Sequence, residues 1–103
     1  MGERLGQLIV FKVKERLSAT ERTNFFRGLY GHLERSNFGQ YTYKREGLLE
    51  TLPHITLVRA ALIVAEENAG KLVAFLRRNC RVTTRKVLLT SGDQRKLYGR
   101  MPK

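Results

Sequence analysis

The chain has 103 residues, 42% of them hydrophobic and 9% aromatic, and it carries 20 Lys and Arg against 9 Asp and Glu, a net charge of +11. That is enough for one core and too little for two, and the longest apolar stretch, Ala60 to Ala65, is far short of the ~20 residues a bilayer span requires. A lone cysteine, Cys80, excludes an internal disulfide framework and a thiolate zinc site.

The run Leu5 to Val13 (LGQLIVFKV) is apolar and β-branched until charge breaks it at Lys14-Glu15-Arg16, the signature of a central strand. Ser18-Ala19-Thr20-Glu21 is a capping box, so a helix starts there. Phe25, Phe26, Leu29 and Leu33 recur at helical spacing on one face, with Arg27, Glu34 and Arg35 opposite, and Ser36-Asn37 closes the helix. Gly28 and Gly31 weaken that helix, which predicts a close backbone approach in compensation.

Phe38 to Arg45 (FGQYTYKR) alternates like a second strand, with Tyr41, Tyr43 and Arg45 on one face. After the connection from Leu49 to Pro53, Ile55 to Ala65 (ITLVRAALIVA) reads as one long buried strand with a single charge, Arg59. A second helix opens on Glu66-Glu67-Asn68, carries the stripe Ala69, Leu72, Val73 and Leu76, and ends on Arg77-Arg78 near Asn79 and Cys80. Arg81 to Leu89 is a fourth strand, and Thr90 or Ser91 caps a short last helix reaching Tyr98.

The predicted order β-α-β-β-α-β is that of an α+β ferredoxin-like sandwich: a four-stranded antiparallel sheet with two helices on one face, and a short C-terminal helix or basic tail. Residues 1–90 form this domain, and 91–103 are its basic C-terminal extension. The first residues lack the apolar core of a signal peptide, so a cytoplasmic protein is expected.

Self-repulsion at +11 calls for a polyanionic partner, and 13 of the 20 cations are Arg, whose planar fork pairs with phosphate. Residues 71–103 alone hold ten cations against one acid, Asp93. The contacts expected from this are Arg77, Arg78, Arg81, Arg85, Lys86, Arg95, Lys96 and Arg100, extended by Lys12, Lys14, Lys44 and Arg45. Tyr41 and Tyr43 add aromatic faces for base stacking on the open side of the sheet. Acids are sparse and mostly at helix starts, and no nucleophile or ligand cluster accompanies His32 or His54. A glycine-rich phosphate loop is absent as well. The reading therefore assigns no catalytic residue, no metal and no cofactor.

The strand LIVFKV, the helix ending at Leu29-Tyr30-Gly31, the strand starting at Ser36-Asn37-Phe38 and the long apolar third strand together resemble the small CRISPR-associated ferredoxin-fold proteins of the spacer-acquisition machinery. The resemblance implies a homodimer that binds double-stranded nucleic acid. It also implies a metal-binding aspartate near the end of the first strand, where this chain has Phe11-Lys12-Val13-Lys14. The expectation is a non-catalytic nucleic-acid-binding protein, RNA ahead of DNA, of the kind found in ribosomes and other ribonucleoproteins. The alternatives are a metal-dependent nuclease and an interaction module for an acidic protein.

Overall fold

The computed structural model describes residues 4–36 and 39–98, Ser36 by its backbone only. In chain order the elements are β1 (Leu5–Val13), α1 (Ala19–Tyr30), β2 (His32–Ser36), β3 (Tyr41–Arg45), α2 (Leu48–Thr51), β4 (His54–Val58), β5 (Ala61–Ala65), α3 (Glu66–Arg77), β6 (Cys80–Leu88) and α4 (Ser91–Tyr98). They gather into two compact units, residues 1–15 with 52–103, and residues 16–51.

The first unit is built on a four-stranded antiparallel sheet in the order β4-β5-β1-β6. Apolar β1 lies inside the sheet, with β5 and β6 on either side. Both run antiparallel to it, so they are parallel to each other, and α3 is the crossover between them. Ile9 and Phe11 of β1, Leu62 and Val64 of β5, and Cys80 of β6 are buried on one face. Ala69, Leu72 and Leu76 of α3 are buried as the helix packs on these three strands. Each fully buried leucine contributes about 1.5–3 kcal/mol. Glu66 and Glu67 in the first turn and Arg77 in the last oppose the helix dipole at both ends.

On the other face, α4 covers one end of the sheet, where Ile55, Leu89 and Leu97 pack with Ile63, Val87 and Tyr98. Gly6 is required beneath this cluster: a Cβ there would meet Leu89 Cδ2 and the Val64 carbonyl at 2.8 Å. Thr90 starts α4 by a reciprocal cap, its Oγ1 accepting from the Asp93 N–H and its own N–H donating to Asp93 Oδ2, both at 3.0 Å.

The second unit joins α1, the two-stranded ribbon β2–β3 and α2. The capping box of α1 is formed, with the Glu21 N–H donating to Ser18 Oγ at 3.1 Å and the Ser18 N–H to Glu21 Oε1 at 2.8 Å. Replacing Ser18 by Ala should lower stability by about 1 kcal/mol, read as a shifted urea midpoint with unchanged slope. Phe25 and Leu29 form the buried side of the helix, which ends where Gly31, at φ 84°, donates its N–H to the Arg27 carbonyl.

An α+β chain with a four-stranded antiparallel sheet was expected and is found; three elements within it differ. The first helix stops at Tyr30 and not at Ser36, because Gly31 takes a backbone conformation that only glycine adopts readily, and Leu33 is 66% exposed on β2. The run Ile55 to Ala65 is a hairpin folded at Arg59-Ala60, whose carbonyl at Ala60 accepts the Phe11 N–H at 3.0 Å. The tyrosine strand pairs with β2 in its own ribbon and is no part of the four-stranded sheet, because the early helix end frees His32–Ser36 to become its partner.

Candidate nucleic-acid interface

Alternation along β1 and β6 separates their side chains into two sets. The register places Lys12 opposite Arg81, Val10 opposite Thr83 and Leu8 opposite Arg85, so all six share the face that does not hold Ile9 and Phe11. Away from α4 this face is exposed at Val10, Lys12, Arg81, Thr83 and Arg85. The three cations make no ion pair among the described residues; Arg85 donates instead to the carbonyl of Thr84, at 2.7 Å.

One end of this sheet concentrates further charge. The Lys14 N–H donates to the Asn79 carbonyl at 2.9 Å, which ties the end of β1 to the turn after α3 that carries Arg78 and to the last helical turn with Arg77. The β4–β5 turn with Arg59 reaches the same end through the Ala60 carbonyl. Lys12, Lys14, Arg59, Arg77, Arg78 and Arg81 are thus carried at one end of the sheet by three chain segments, with Arg77 on the helix that covers the opposite face from Lys12 and Arg81, and Glu15 is the neighbouring acid in sequence. Arg59 was absent from the sequence-derived set; its only signal was a lone charge in an apolar run.

Lys86 falls on the opposite face of β6, 3.6 Å from Glu66 in an exposed pair that contributes little. Arg95 and Lys96 are exposed on α4, and Arg100 lies outside the described residues. Lys44 and Arg45 belong to the second unit and are already engaged. Lys44 Nζ is 2.7 Å from Glu50 Oε2, and Arg45 binds Glu34. The bond to Lys44, then the Gly47 N–H, lowers the Glu50 pKa, and Arg45 lowers that of Glu34, so both carboxylates are held ionised. Tyr41 and Tyr43 are 54% and 51% exposed on the ribbon.

Charge follows the same division. Residues 1–15 and 52–103 hold fourteen Lys and Arg against five Asp and Glu, and residues 16–51 hold six against four. Among the described residues no three His, Cys, Asp or Glu side chains gather to hold a metal ion, and no helix is long and apolar enough to cross a membrane. His54 Nδ1 lies 2.8 Å from the Leu52 carbonyl, and His32 Nδ1 is buried without a hydrogen bond. Burial raises the Cys80 pKa, which keeps the thiol protonated and a poor nucleophile. No protein-family model, curated protein or solved structure matches the chain.

Proposed function

We propose that this is a non-catalytic nucleic-acid-binding protein, RNA ahead of DNA, acting as a component of a ribonucleoprotein. It grips phosphates with the basic face and end of its four-stranded sheet. The observation that carries this reading is the register that sets Lys12, Arg81 and Arg85 on one exposed face. β6 is an edge strand, and cations on an edge also discourage unwanted strand pairing. That accounts for Arg81 and Arg85 but not for Lys12, which stands on the inner strand β1 directly opposite Arg81. Like charges so placed destabilise a sheet, and a phosphate between them removes the penalty. In fold terms we propose a ferredoxin-like domain in which residues 16–51 stand, in chain order, where the first crossover helix would be. The order β4-β5-β1-β6 and the β5–α3–β6 crossover support it.

Isolation of the protein from its own cells at low salt, with a nuclease-treated control, tests the proposal. Sequencing the recovered nucleic acid should return a defined RNA, and binding should fall steeply between 50 and 200 mM salt, by about 10³-fold for six phosphate contacts. Recovery of no nucleic acid, or binding indifferent to salt, overturns it.

A further inference from the structure

We propose that the β2–β3 ribbon is a clamp for one unpaired base of a single-stranded nucleic acid, held between the rings of Tyr41 and Tyr43; the inference rests on the nucleic-acid reading above. Every residue of β3 is exposed, and the two tyrosines, two positions apart on a regular strand, share one face. Among the described residues neither ring packs on another ring and neither hydroxyl makes a hydrogen bond. Packing within the unit thus gives no reason for two large aromatics there.

Same-face neighbours on a strand are about 6.8 Å apart, twice the ~3.4 Å separation of stacked planar rings, so one base fits between them. Glu34 lies directly opposite Tyr43 on this face and is neutralised by Arg45, the next same-face residue of β3. The carboxylate beside the rings is thus paired, which leaves their faces to an uncharged base, and Arg27, close enough to Glu34 to lower its pKa as well, adds a cation nearby. The exposed strand positions of the first unit's basic face, Val10, Lys12, Arg81, Thr83 and Arg85, have a different character, with three cations and no aromatic ring among them. A base in a duplex is already stacked on both sides, so the clamp takes only single strands.

The test uses the full-length protein with a 12-nucleotide single strand carrying one central 2-aminopurine, and with a blunt duplex of the same length. Wild type should quench the 2-aminopurine. Tyr41→Val and Tyr43→Val, which keep β-branched strand formers in place, should abolish the quenching and weaken single-strand binding roughly 10-fold. Duplex affinity and the salt dependence should stay at wild-type values, and Tyr43→Phe should behave as wild type. Unchanged single-strand affinity and quenching in the Val variants overturn the clamp, as does an equal loss on the duplex or conversion of a dimer to a monomer with binding intact. If wild type binds neither probe, the nucleic-acid reading itself fails.

Discussion

Replacing Lys12, Arg81 and Arg85 together by Gln should shrink the loss of nucleic-acid affinity between 50 and 200 mM salt by about 40-fold, because three fewer phosphates are neutralised and each contributes close to one unit of the log–log slope. All three side chains are exposed and none is in an ion pair among the described residues, so the fold loses only the exposed bond from Arg85 to the Thr84 carbonyl. It should gain slightly. Lys12 faces Arg81 across the β1–β6 ladder, and removing that repulsion stabilises the sheet by a few tenths of a kcal/mol on the scale of cross-strand pairs. Binding titrations over a salt series, with urea denaturation on the same samples, check both halves. A variant that binds as wild type at every salt concentration removes this face from the interface. A variant that binds worse because it has unfolded would show in the urea midpoint.

Gly31→Ala should strongly damage the second unit, costing roughly 2–6 kcal/mol. Two effects combine. Gly31 sits at φ 84° and ψ 173°, a region essentially reserved for glycine and worth about 1–3 kcal/mol of strain for any other residue. A Cβ at this position would also stand 2.6 Å from the Arg45 carbonyl and from Glu50 Oε1, and 2.8 Å from Gly47 N, and overpacking of this kind adds about 1–3 kcal/mol. The contacts are backbone and a carboxylate held at 2.8 Å by the Gly47 N–H, so the surroundings have little freedom to yield. Amide hydrogen exchange should show protection lost across α1 and the β2–β3 ribbon, and base quenching by the tyrosines should disappear with it. Wild-type protection in those elements would mean the backbone around residues 31 and 47 can shift without penalty.

The early end of α1 is also where sequence and structure part most instructively. Phe25, Phe26, Leu29 and Leu33 keep helical spacing, and nothing in that pattern says that the helix stops between the third and the fourth. What stops it is the meeting of Gly31 with Arg45 and Gly47, residues fourteen and sixteen positions away, which no local pattern encodes. Once the helix stops, His32–Ser36 becomes a strand, the tyrosine strand acquires a partner, and it leaves the main sheet. The Arg59-Ala60 turn was hidden for a related reason: it contains no Gly, Pro or Asn, and a hairpin of two apolar strands has the same periodicity as one longer strand.

Features set by neighbouring residues could be read from the chain without its fold. The capping box at Ser18, a cap at Thr90 or Ser91, the dipole-matched α3, the strands β1 and β6 and the basic character of the chain were all legible, because each depends on residues a few positions apart. Which cations share a face was decided by the tertiary structure alone. The antiparallel register between β1 and β6 brings Lys12 to Arg81 across 69 positions of sequence and turns Lys86 away, and that pairing follows from how Ile9, Phe11 and Cys80 are buried on the same side of the sheet.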